Sequence, residues 1–232
     1  MTENEICAFT EHTVVCGYNE HALQVITELE AAGRRVALVS HTRPARLQES
    51  VFFVEGDPND EKALARAGIM KASSAVILSE NALNLSPDIV DSHTVLTTLA
   101  VESQNPSAYT VVEILNPANA IHARRAHVDD IIFCDKVLAE IAASSAGQKG
   151  LAAVWNDILC SSDSGSSLRV EEVPALWEGK RIAELFAAYR AEGKLPLGYI
   201  RIDGGQLSHK VNPNDSETIK LPMSAVFIAS NV

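Results

Sequence analysis

The chain has 232 residues, 47% of them apolar, with 30 acidic side chains against 19 Lys and Arg and a formal net charge of −11. That is enough apolar chain for one large domain or two small ones. The acidic excess falls in residues 1–145, which carry 20 acidic and 10 basic side chains; it repels phosphate backbones and excludes nucleic acid as a partner.

The longest apolar runs, "SAVIL" and "DDIIF", are far shorter than the roughly 18 to 20 residues of a membrane span, and "MTENEICAFTEH" lacks a basic-then-apolar export signal. A soluble, non-exported protein is expected. Cys7, Cys16, Cys134 and Cys160 are scattered without a CxxC pair, as expected of buried thiols in a reducing cytoplasm.

Strands are predicted at 12–17, 34–40, 51–56, 74–79, 109–115 and 129–134, with helices at 20–32, 60–67, 88–103 and 117–126 between them. This alternation predicts an α/β fold with a parallel sheet covered by helices, and the unbroken apolar character of the strands predicts burial on both faces. "HTRPARLQES", interrupted by Pro44, is too short for a crossover helix. Residues 135–160 read as two helices split by "GQKG", the first capped by Asp135, and apolar almost all round; such a pair is a candidate subunit interface. "CSSDSGSS" is a linker. Residues 168–232 read as a small α+β lobe with one helix at "GKRIAELFAAYR" and short strands that include "ETIKLP". The expected domains are 1–134, the 135–160 crossover and 168–232.

"VVCGYNEHA", residues 14–22, is a strand-to-helix turn of the kind that presents free N–H groups to an anion. Gly17 stands alone where GxGxxG has three glycines: Asn19 and Ala22 replace the others, and the loss of the second removes room for a pyrophosphate. After the second strand, where an acid would meet the ribose of NAD, stand Ser40, His41 and Arg43. Asp57 and Pro58 form a turn after the third strand, with Asn59 or Asp60 capping the next helix. Gly17, Tyr18, Asn19, Glu20, Ser40, His41, Arg43, Asp57 and Pro58 are therefore the candidate cofactor-binding residues. Glu80 and Glu113 fall near the same sheet edge as candidate ligands of a hard divalent cation, and a carboxylate buried in an apolar strand, as at Glu113, requires a partner. The seven histidines show no HxxxH or HExxH spacing, and no catalytic motif is present.

The segments "HTVVCGYNEHALQVITEL", "VFFVEGDPNDEKALARAGIMKASSAVIL", "SPDIVDSHTVLTTLA" and "VVEILNPANAIHARRAHVDDII" strongly resemble the RCK (regulator of K+ conductance) family, related to the nucleotide-binding regulatory subunits of potassium-uptake systems. The resemblance implies a Rossmann-like N-terminal lobe, a helical crossover that pairs subunits, and a C-terminal lobe. It also implies a non-enzymatic cytoplasmic domain, held at the inner face of the membrane through a separate potassium channel pore or transporter subunit, whose dimers build an octameric gating ring. NAD or an adenine nucleotide, and Ca2+ or another divalent cation, are the implied ligands.

Two sites depart from the family. Where calcium-gated members carry acids, this chain has Ser79, Glu113 and Leu115, which predicts loss of that calcium site, with Glu80 or Asp57 left for a different one. The full glycine set and the acid after the second strand of the nucleotide-binding members are also missing, although the loop around Pro44 resembles that of the NAD- and calcium-responsive channels. Two alternatives remain: an NAD(P)-dependent oxidoreductase on the same lobe, and a purely structural ring.

Overall fold

The computed structural model describes residues 5–80, 85–159, 166–203 and 206–230. Cys160 and most of the "CSSDSGSS" linker lie outside the described residues. The chain divides into two compact units, one ending at Ser144 and one beginning at Ser145.

The first unit is a six-stranded parallel sheet: β1 (Thr13–Cys16), β2 (Val36–Ser40), β3 (Phe52–Glu55), β4 (Ser74–Ile77), β5 (Tyr109–Glu113) and β6 (Asp130–Ile132). The strand order is β3-β2-β1-β4-β5-β6, and all five pairings are parallel. Helices α1 (Ala22–Ala31), α2 (Glu61–Arg66), α3 (Pro87–Gln104) and α4 (Ala120–Arg125) make the connections, while β2 passes to β3 without a helix.

The strands form because each is a run of β-branched and apolar residues that can be covered on both sides. Alternation along β1 and β2 sorts them into two cores. Val14, Cys16, Ala37 and Val39 pack with Leu64, Ile69 and Val101 on one face, and Val15, Val36 and Leu38 pack with Ala22 and Ile26 on the other. A one-residue slip of either strand would exchange the two sets.

His12, just before β1, is fully buried. Its Nε2 donates to the Ala67 carbonyl at 2.9 Å, its Nδ1 has no partner, and the Phe9 ring packs edge-on at 5.8 Å. Burial holds the imidazole below its ordinary pKa of 6.5. The unfolded chain therefore binds the proton more readily, so this contribution to stability is complete above about pH 6.5 and is lost as pH falls toward the folded value. We expect the unfolding free energy to decline below pH 6.5 with a slope approaching about 1.4 kcal/mol per pH unit, and His12→Phe to flatten that decline in urea titrations run from pH 7.5 to 5.

The second unit holds β7 (Ser166–Glu172), α7 (Ile182–Ala191), β8 (Leu195–Asp203), β9 (Gln206–Val211) and β10 (Met223–Ser230), with an antiparallel sheet in the order β7-β10-β8-β9. Helix α7 lays Ile182, Leu185, Phe186 and Tyr189 against Tyr199, Met223, Ala225 and Phe227. The expected strand at "ETIKLP" does not form. Its backbone closes onto the entry to α7 instead: Ile219 N–H donates to Lys180 O, the Ile219 carbonyl accepts from Gly179 N–H, and Ile182 N–H donates to Glu217 O. Pro222 adds no donor with which to extend a ladder.

Two helices follow β6: α5 (Cys134–Gly147) and α6 (Leu151–Leu159). Asp135 does not cap α5. The Phe133 carbonyl already accepts from Val137 N–H, so the helix starts at Cys134, two residues before an Asp135 cap would start it, and Asp135 sits in its first turn, where a carboxylate still complements the helix dipole. Neither α5 nor α6 has a buried residue, although Val137, Leu138, Val154 and Leu159 are all apolar.

Candidate functional site

Strands β1 and β4 are neighbours at the centre of the sheet, and the connections that leave their carboxyl ends diverge to opposite sides. A crevice opens there, the place where ligands enter sheets of this order. Gly17 forms its floor. It takes φ +88°, which disfavours a side chain, and a Cβ at this position would lie 2.7 Å from the Leu78 carbonyl oxygen. The cavity, about 340 Å³, is lined by Cys16, Gly17, His41, Asp57, Pro58, Asn59, Leu78, Glu80 and Leu85, with His93, Thr94 and Thr97 of α3 as its far wall.

Its rim is acidic and organised around one imidazole. His41 Nδ1 lies 3.1 Å from Glu80 Oε2, and its Nε2 lies 3.9 Å from Asp57 Oδ2. Asp57 is oriented by its own turn, in which Oδ1 accepts from Asn59 N–H at 2.8 Å. Thr97 Oγ donates to Asn59 Oδ1 at 2.6 Å and ties α3 to the loop after β3. Asp60 caps α2 by accepting from Lys62 N–H, as the sequence predicts. The Cys16 thiol is fully buried, and that burial pushes its pKa to about 12; a thiol held protonated makes no nucleophile at neutral pH.

Beneath the crevice lies a buried carboxylate. Glu113, 4% exposed at the end of β5, accepts on Oε2 from Ser79 N–H at 2.9 Å, Ser79 Oγ at 2.6 Å and Asn19 Nδ2 at 2.8 Å. The Cys134 thiol at the start of α5 is near it, and burial first, then the Glu113 carboxylate, raise the thiol pKa to about 12. One side chain of β5 thus joins the turn after β1 to the end of β4. A second buried acid, Asp91 of α3, accepts from Leu115 N–H, Asn116 N–H and Asn119 Nδ2 and fixes the loop after β5. Asn116 and Asn119 also donate to Asp88, and these bonds hold its carboxyl below the usual carboxylate value.

Of the residues expected to bind a cofactor, Gly17, His41, Asp57 and Pro58 line the crevice, as does Glu80 from the metal pair. Asn19 lies behind them, bonded to Glu113. Ser40 is buried and donates to Thr42 O, and Arg43 stacks over the Phe53 ring at 5.3 Å. Tyr18 packs against the α1-side core, and Glu20 is exposed beside His21 at 3.9 Å. Among the described residues, no three His, Cys, Asp or Glu side chains are placed to share a metal ion. Asn59, His93, Thr94, Thr97 and Asp91 were not expected at the site.

The family model for the TrkA-N domain matches residues 13–134, the whole of the parallel sheet. The chain belongs to the TrkA-N domain family. It is 28% identical over 143 residues to the calcium-gated potassium channel TvoK of Thermoplasma volcanium, covering 60% of this chain and 41% of that one. It is 33% identical over 125 residues to the putative potassium channel protein YugO of Bacillus subtilis, covering 53% and 38%. The chain therefore spans about two fifths of the length of these relatives.

Similar folds are found in the human SLO3 gating ring, with TM-score 0.68 and 14% identity over 94% of this chain and 43% of that one, and in the GsuK channel bound to NAD, with TM-score 0.52 and 18% identity over 95% and 36%. The TrkA-N match and the gating-ring fold bear out the RCK resemblance and the α/β architecture read from the sequence.

Proposed function

We propose that this chain is a ligand-sensing regulatory domain that controls potassium conduction through the shape of an oligomeric ring, and that it is not an enzyme. The observation that carries this reading is the crevice at the β1/β4 switch point, floored by Gly17 and rimmed by His41, Asp57 and Glu80, in a TrkA-N chain whose relatives are named potassium channels. The ligand class is adenine-containing, in keeping with the similar fold bound to NAD. A divalent cation at Glu80 is the second candidate, in keeping with the calcium-gated relative. Gating follows if the ligand binds one ring conformation more tightly than another.

In this reading residues 135–160 are the pairing crossover and 168–232 a separate lobe. The apolar side chains that α5 and α6 leave uncovered are what a second subunit would bury. Among the described residues no helix is long and apolar enough to cross a membrane, so the pore belongs to another segment or subunit and places this domain at the inner face of the membrane. The oxidoreductase alternative is disfavoured by the relatives, which are named potassium channels.

Thermal unfolding of the 232-residue chain should shift upward with at least one of NAD+, NADH, ADP, ATP, adenosine, Ca2+ or Mg2+, by about 2.7 kcal/mol of stabilisation at a hundredfold excess over Kd. Light scattering should report an oligomer. Fused behind a pore-only potassium channel, the chain should make bilayer conductance depend on that ligand; a conductance indifferent to all of them refutes the sensor reading.

A further inference from the structure

The turn from β1 into α1 already contains an acceptor. In dinucleotide-binding sheets the free N–H groups at this helix start receive the pyrophosphate. Here Asn19 takes two of the amides: its Oδ1 accepts from His21 N–H at 3.0 Å, and its backbone carbonyl accepts from Ala22 N–H at 3.2 Å. The other end of the same side chain is fixed, since Nδ2 donates to Ser79 O at 3.0 Å and to Glu113 Oε2 at 2.8 Å. Asn19 therefore cannot swing aside without removing a donor from a carboxylate that is 4% exposed. An arriving pyrophosphate would have to displace it and would then face Glu113.

The remainder of the crevice favours the same kind of ligand. About 340 Å³ lies at the low end of the range for small-molecule sites, roughly 300 to 1,000 Å³. Asp57 and Glu80 flank His41 as acceptors suited to hydroxyl groups and opposed to a diphosphate, while Pro58, Leu78 and Leu85 give a flat base apolar surface.

We propose that Asn19 is the specificity-determining residue of this crevice: it fills the pyrophosphate seat from within, so that the site takes a nucleoside and rejects dinucleotides and nucleoside diphosphates. This rests on the crevice being the ligand site. The test is calorimetric titration of the 232-residue chain with adenosine, ADP and NAD+. Adenosine should bind about tenfold tighter than either, the scale of one charge-assisted hydrogen bond lost or made. Asn19→Gly, which restores the second glycine, should move the NAD+ to adenosine affinity ratio by about tenfold or more toward NAD+. Asn19→Ser, which keeps an acceptor for His21 N–H but gives up the bond to Glu113, should move the ratio in the same direction by a smaller factor.

Tighter binding of NAD+ than adenosine by the wild type, or a ratio unmoved in an Asn19→Gly variant of wild-type circular dichroism, overturns the role of Asn19 and leaves the crevice standing as a ligand site. Should Asn19→Gly fail to fold, the wild-type ratio and Asn19→Ser still decide. Absence of heat from all three ligands with every variant overturns the nucleoside site itself, and this proposal with it.

Discussion

Glu113→Ala is expected to lower the unfolding free energy by about 3 to 5 kcal/mol, among the largest effects of any single substitution in this chain. Its carboxylate is the common acceptor for Asn19 Nδ2, Ser79 N–H and Ser79 Oγ. Truncation strands donors that are out of reach of water and leaves a void at the end of β5. Glu113→Gln keeps the volume but turns one acceptor oxygen into a donor; against that set of donors, its amide can satisfy some only by opposing others. It should therefore cost less than Ala but still about 2 kcal/mol. Urea titration measures both variants. A loss below about 1 kcal/mol for Glu113→Ala would mean that the buried network is replaced by water at little cost.

This network also shows where sequence reasoning stops. Asp57 and Asp60 were legible because their chemistry is local: an Asx turn and a helix cap close within two residues. The six strands were legible because apolar runs separated by helical stretches leave little freedom beyond the ends, none of which moved by more than two residues. Glu113 could be recognised as a buried acid in need of a partner. Its partners could not be named, since Ser79 is 34 residues away and Asn19 is 94, and only the strand order brings them together. Asp91 and the Thr94 and Thr97 wall were missed because Asp and Thr within a helical pattern read as a solvated face, whereas α3 packs that side over the sheet. The strand expected at "ETIKLP" failed for a related reason: β-branched and apolar residues register the wish to be buried, and Ile219 is buried, but its backbone bonds to a loop.

Gly17→Ala and Gly33→Ala should separate two meanings of a left-handed glycine. Both residues have positive φ, +88° and +75°, so each substitution incurs the left-handed penalty of about 1 to 2 kcal/mol. Gly33 ends α1 in open space, with no atom within 4 Å of where a methyl would stand, and its cost should stop there, near about 1 kcal/mol. At Gly17 the methyl would meet the Leu78 carbonyl at 2.7 Å. That carbonyl belongs to the backbone leaving β4, which also presents Ser79 to Glu113 and Glu80 to His41, so relief of the clash must move the strand end that shapes the crevice. We expect Gly17→Ala to cost about 3 to 4 kcal/mol and to abolish the ligand-induced rise in melting temperature, while Gly33→Ala keeps that rise in full. Equal costs for the two would show that the close approach at Leu78 relaxes freely. A ligand shift that survives in Gly17→Ala would move the binding site away from the turn after β1.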